Sequence, residues 1–212
     1  MKKLLITMLL VSSCRSDMNE NVSSTTEFDS STSSFETDET TTLEDVSVKN
    51  KRIFITERSF SIPEIKSLQN ADSLCQSSAD EKELKGNWKA ILSSSEESFK
   101  NRIDFDDNTK YYLVDDKTLI AESWEDLLDG TIVTPIFMTE RMQITKNTLV
   151  WTGSLPNGSY AMAQGSCGDW TEYDTKGQSA AFGNASRSDL AWISFGIAWE
   201  CDSRMSLYCI EL

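Results

Sequence analysis

ADSLCQSSADEKELKGNWKAILSS, residues 71–94, is the stretch on which the fold turns. Ala71, Leu74, Cys75, Ser78 and Ala79 recur at helical spacing, so a helix is predicted over about 71–84 with Cys75 on its apolar stripe. Gly86, two residues beyond Leu84, is the expected stop, and a strand should follow through Trp88, Ile91 and Leu92. The chain contains no histidine. A cysteine held inward by this helix is therefore a bridge, a ligand or a nucleophile working without imidazole.

Upstream, RIFIT (52–56) sets Ile53 and Ile55 against Arg52, Phe54 and Thr56, as a strand does. Downstream, SWEDLLDG (123–130) has Ser123 as N-cap, Asp126 closing an S-x-x-[DE] box, Leu127 and Leu128 facing inward, and Gly130 as terminator. Beyond it the pattern changes to short strands and turns: TIVTPIFM, NTLVWTGS, the LPNG turn, DLAWISF and SLYCIEL. Two helices followed by short strands and long loops indicate an α+β domain over 49–212, a size that supports one core. All six tryptophans lie there, at 88, 124, 151, 170, 192 and 199. Trp88 and Trp151 are expected in the core, and no internal repeat is found.

The N-terminus reads differently. MKKLLITMLLVSSC places two lysines before an apolar run from Leu4 to Val11, too short to span a bilayer, and so reads as an export signal over 1–13. Val11-Ser12-Ser13-Cys14 resembles a bacterial lipobox, in which Cys14 is acylated and becomes the mature N-terminus; more than one acyl chain gives a firm anchor. Residues 15–48 hold fifteen Ser or Thr, nine acidic residues and one basic one, without Gly or Pro. Such composition cannot bury enough apolar surface to offset ordering entropy, so 14–48 is expected to be an acylated cysteine followed by a disordered tether. The domain itself has 17 basic and 25 acidic residues, a net of −8. That balance argues against nucleic acid and anionic lipid headgroups as partners, since both are bound by Lys and Arg. A locally basic stretch remains in KNKRIFITER (49–58).

Cys75, Cys167, Cys201 and Cys209 are an even set in an exported domain, which points to disulfides. No Cys-x-x-Cys occurs, so the spacing does not suit zinc. Four cysteines allow three connectivities, and spacing does not choose among them. Without histidine a Ser-His-Asp or Cys-His site is impossible. The carboxylate pairs Asp106–Asp107, Asp115–Asp116 and Glu96–Glu97 sit in polar surroundings and read as solvated surface. GQSAAFGNAS (177–186) lacks the spacing of a phosphate loop. Asn-x-Ser sequons stand at Asn21, Asn157 and Asn184, and no glycan is assigned to them.

ADSLCQSSADEKELKGNWKAILSS, LIAESWEDLLDG, VWTGSLPNGSYA, SCGDW and CDSRMSLYCIEL together resemble, in order and spacing, the endostatin module of collagens XV and XVIII. With the lipoprotein signal, the chain is similar to the bacterial (leptospiral) endostatin-like surface lipoproteins. The resemblance covers roughly residues 51–212. It implies a C-type-lectin-like fold of two helices and short, mostly antiparallel strands, with nested bridges, Cys75–Cys209 outside and Cys167–Cys201 inside. It also implies an adhesin, not an enzyme, placed at the outer membrane and cell surface, without cofactor. The implied partners are host extracellular-matrix or plasma proteins: laminin, fibronectin, complement factor H and plasminogen. Three departures limit the transfer. Endostatin's zinc histidines are absent here. Its clustered heparin-binding arginines are replaced by Arg52, Arg58, Arg102, Arg141, Arg187 and Arg204, scattered in an acidic domain. Leu155-Pro156-Asn157 puts leucine where sugar-binding C-type lectins have a calcium ligand, so PNG reads as a turn. A calcium-independent lectin and a periplasmic structural lipoprotein are the alternatives.

Overall fold

Phe54 lies between Ile53 and Ile55, and all three are completely buried. A strand buried on both faces belongs inside a covered sheet. The computed structural model, which describes residues 49–104, 108–172 and 177–212, places it there. RIFIT forms the expected strand, with both faces covered: Ile53 and Ile55 enter one apolar cluster with Tyr111, Leu113 and Ile210, while Phe54 enters the other with Trp88, Cys75 and Cys209.

In chain order the elements are β1 (Lys49–Ile55), β2 (Phe60–Ser61), α1 (Ile62–Ile65), α2 (Leu68–Asp80), β3 (Trp88–Ala90), α3 (Phe99–Arg102), β4 (Thr109–Leu113) and β5 (Leu119–Ala121). There follow α4 (Trp124–Leu127), β6 (Leu149–Trp151), α5 (Cys167–Trp170), β7 (Ser179–Asn184), a 3-10 turn (Leu190–Trp192), β8 (Ala198–Glu200), β9 (Arg204–Met205) and β10 (Tyr208–Glu211). The main sheet has the order β3-β10-β1-β4-β5, the second sheet β6-β7-β8, and β2 pairs with β9. Pairings are antiparallel except β1 with β4, where Arg52 lies opposite Tyr112 and Ile53 opposite Leu113. The domain is a mixed α+β fold with few helices, mostly short strands and two disulfides.

Of the described helices only α2 exceeds four residues. The two expected helices correspond to α2 and α4, and α1, α3 and α5 are additional single turns. Ser67 starts α2 three residues ahead of expectation, its Oγ accepting from the Asn70 N–H at 3.1 Å. The helix also ends early. Glu83 takes φ 56°, the Leu84 N–H reaches the Ala79 carbonyl and the Glu83 N–H the Asp80 carbonyl, both at 3.0 Å. This double closure is a Schellman stop with glutamate in the left-handed position. Gly86 has another task. A Cβ there would stand 2.3 Å from Glu211 Oε1, so the missing side chain admits the end of β10.

Ser123 caps α4 as read from sequence, accepting from the Asp126 N–H at 3.1 Å, and Leu127 is buried while Leu128 is half-buried. Two expected strands do not form. TIVTPIFM contributes only an isolated bridge from Met138 to Ile144. DLAWISF turns into the 3-10 segment, because Asp189 caps it through the Ala191 N–H and its backbone crosses Gly183 closely; a Cβ on Gly183 would lie 2.1 Å from the Trp192 carbonyl oxygen. Trp88, Trp124, Trp151, Trp170 and Trp192 are buried, and Trp199 is 41% exposed. The signal over 1–13, Cys14, the 14–48 tether and the Asp106–Asp107 pair lie outside the described residues. Among the described residues no helix is long and apolar enough to cross a membrane.

Candidate functional site

Sulfur chemistry in the domain is taken up by two bonds. Cys75 is joined to Cys209, tying α2 to β10, and Cys167 to Cys201, nested inside it. All four cysteines are buried. Of the three possible connectivities the molecule has the nested one.

The remaining polar candidates are held in local structure. Asp115 closes the β4–β5 turn, accepting from Thr118 N–H at 2.9 Å and Lys117 N–H at 3.1 Å. Burial pushes its pKa up, but the Thr118 and Lys117 bonds outweigh this and leave it below the usual carboxylate value. Glu97 lies 3.5 Å from Arg102. Asn157 accepts from the Ser159 N–H at 3.1 Å, and Gly158 N–H bonds Leu155, so PNG is a closed turn. GQSAAFGNAS supplies β7. Among the described residues no three Cys, Asp or Glu side chains form a metal-binding group.

The six domain arginines, scattered in sequence, each meet a carboxylate in space. Arg52 bonds Glu211 at 2.7 Å and Arg102 bonds Asp72 at 2.6 Å. Arg141 pairs with Glu57 and Arg187 with Asp189. Arg58 and Arg204 both converge on Glu64. Their charge is neutralised where it stands.

One surface is different in kind. It starts from α5, where Cys167, Gly168, Asp169 and Trp170 all have positive φ, between 52° and 71°. For the three residues other than glycine this left-handed turn costs about 1–2 kcal/mol each and persists only where its surroundings enforce it. They do so here. Asp169 accepts from Ser95 N–H at 2.7 Å, Ser95 Oγ at 2.5 Å and Ser166 Oγ at 2.8 Å, and the Trp170 indole donates to Ser93 O at 3.0 Å. Burial raises the Asp169 pKa, and the bonds from Ser95 and Ser166 bring it below the usual value. From this fixed turn, the Cys167–Cys201 bond holds the residue that follows β8.

β8 is thereby laid along β7 as the outer strand of the second sheet, with Ala181 opposite Ala198, Ala180 opposite Trp199 and Ser179 opposite Glu200. The hydrogen-bonding direction follows from β7. Ala181 N–H goes to Gly165 O, and Ala181 O accepts from Thr152 and Gly153, all on the side away from β8. Alternation in an antiparallel ladder then makes Ala180–Trp199 the hydrogen-bonded pair. The backbone groups of Ala198 and the N–H of Glu200 point outward. No sheet partner for them exists among the described residues.

The side chains here are apolar. Phe195, Ile197 and Trp199 are 44%, 56% and 41% exposed. Phe195 stacks on buried Phe182 at 5.3 Å and Trp199 meets the same ring edge-on at 5.4 Å, so both are fixed from below and open above. Residues 195–199 contain no charge and no proline; Glu200 and Asp202 follow, without a salt-bridge cation among the described residues.

No family model matches the chain, and no curated protein matches it either.

The expected DLAWISF strand stops at Phe195, and no element is expected from sequence at 196–200. A signal was present: Phe195, Ile197 and Trp199 alternate with Gly196 and Ala198, a strand period without the polar face that marks a covered edge.

Proposed function

We propose that this chain is a surface-displayed lipoprotein of the endostatin-like, C-type-lectin-like class that binds host extracellular-matrix or plasma proteins. Cys14 anchors it, the acidic 14–48 segment holds the domain away from the membrane, and the domain presents its binding surface outward. The observation that carries the reading is the open edge of β8, with Phe195, Ile197 and Trp199 exposed together. Soluble domains ordinarily blunt such an edge with lysine, proline or a bulge. Exposed aromatic and aliphatic side chains fixed on a rigid base are what protein-binding surfaces are made of. The paired cysteines support an oxidising, exported setting. The net −8 of the domain and the local pairing of its arginines weigh against nucleic acid and heparin as ligands.

This role requires surface complementarity and no catalytic group. The test is binding of the full chain to laminin, fibronectin, complement factor H and plasminogen at physiological salt, with protease shaving of intact cells in parallel. Saturable binding to at least one, and loss of the domain on shaving, are expected. Saturation with none, or a domain fully protected from protease, would remove the reading.

A further inference from the structure

The geometry points to strand addition at β8: an extended segment of the partner protein, apolar at alternate positions and bearing lysine or arginine at one end, pairs with the outer edge of the β6-β7-β8 sheet. The inference deepens the reading above and rests on it for the partner being a protein.

Three features define the occupant. The first is backbone chemistry. Ala198 offers an outward N–H and C=O and Glu200 an outward N–H, the donors and acceptor that an added strand uses. The second is the side-chain face. Phe195 and Trp199 both rest on the Phe182 ring and Ile197 is exposed in the bend that leads into β8, so a strand lying alongside meets an apolar surface. The third is charge. The apolar run ends in Glu200 and Asp202, and a basic residue on the added segment lies beside them. A second copy of this chain offers no cation at that position and brings a domain of the same net −8. Charge complementarity therefore selects another protein over self-pairing.

Ala198→Pro is the informative variant. It deletes the outward N–H but leaves the Ala180–Trp199 ladder bonds intact, and an edge position is where a strand tolerates proline. The probe is a short synthetic peptide alternating valine and threonine with lysine at both ends, titrated calorimetrically into the full chain. Its counterpart has glutamate at both ends. The lysine peptide should bind saturably and about tenfold more tightly than the glutamate peptide, the scale of one charge-assisted contact. Ala198→Pro should abolish binding, and the double variant Glu200→Lys, Asp202→Lys should reverse the preference. Should Ala198→Pro misfold by circular dichroism, the charge-reversal variant and Trp199→Ala decide in its place, the latter by loss of peptide binding. Absence of saturable binding, equal affinity for the two peptides, or unchanged binding by Ala198→Pro overturns the assignment. So does a sedimenting dimer that Ala198→Pro dissociates, which assigns the edge to a second copy. Peptide binding without capture of any of the four host proteins supports the strand site and removes the adhesin reading alone. Host-protein binding indifferent to Ala198→Pro removes the strand site alone.

Discussion

Glu83 ends the long helix from a backbone conformation that glycine adopts without penalty, φ 56°. Its side chain is not what closes the helix; the Leu84 and Glu83 N–H groups do that. Glu83→Gly should therefore stabilise the domain by about 0.5–1 kcal/mol, because the strain goes and the Schellman bonds stay. A thermal melt should rise by about 1–4 °C for a domain of this size. The sequence pointed to Gly86 as the stop because glutamate carries no C-terminal signature, whereas the true role of Gly86 depends on Glu211, a contact from the other end of the chain. Glu64 is a second residue whose chemistry is invisible locally. Hydrogen bonds from Ser61 N–H and Ser61 Oγ, then Arg204, lower its pKa from 4.5 to about 2. The folded state thus binds the proton less readily than the unfolded chain. The stabilisation is complete above pH 4.5 and is lost as pH falls towards about 2. Glu64→Gln should cost about 1 kcal/mol at neutral pH, the worth of a capping box, and flatten the acid limb of urea-denaturation midpoints plotted against pH.

Elements were legible where one strip of sequence faces one environment. The apolar stripe of α2 and the Ser123 cap are of that kind, and both are present. The alternation in RIFIT gives the strand β1 but not its place in the sheet, since a central strand between parallel β4 and antiparallel β10 has no wet face. The 189–195 stretch failed for a related reason: Trp192 is apolar enough for a strand, but the Asp189 cap and the bare Cα of Gly183 draw it into a 3-10 turn. Links between elements were not legible. Arg102, with a side chain only 4% exposed, donates to Ala90 O and Leu92 O and forms a two-bonded pair with Asp72, so one guanidinium joins α2, β3 and α3. Removing its carboxylate partner leaves a buried charge. Asp72→Ala should cost about 3–5 kcal/mol in urea unfolding. Glu97→Ala, which removes the half-exposed partner of the same guanidinium, should cost less than about 1 kcal/mol. Equal losses would show that the charge is not effectively buried.

At the scale of the whole molecule, cysteine count and compartment led to bridges, but their consequences for shape come from where they lie. The outer bond spans 134 residues and the inner one 34. Chain entropy alone makes them worth about 5 and about 4 kcal/mol, nearly alike. Their mechanical roles differ more. Cys75–Cys209 joins the long helix to β10 beside the central strand, so its loss reaches every layer of the main sheet. Cys167–Cys201 joins the left-handed turn to the residue after β8, so its loss falls first on the edge where Trp199 stands. Hydrogen exchange separates the two. The double variant Cys167→Ala, Cys201→Ala should exchange faster at the Trp199 amide, whose ladder bond to Ala180 is no longer held in register, while Ile53 and Phe54 amides keep their protection. Cys75→Ala with Cys209→Ala should accelerate both regions together. Protection that falls equally at Trp199 and Phe54 in the inner-bridge variant would mean that the second sheet does not open on its own. The β8 edge would then be a rigid part of one cooperative core, and not a locally fastened strand.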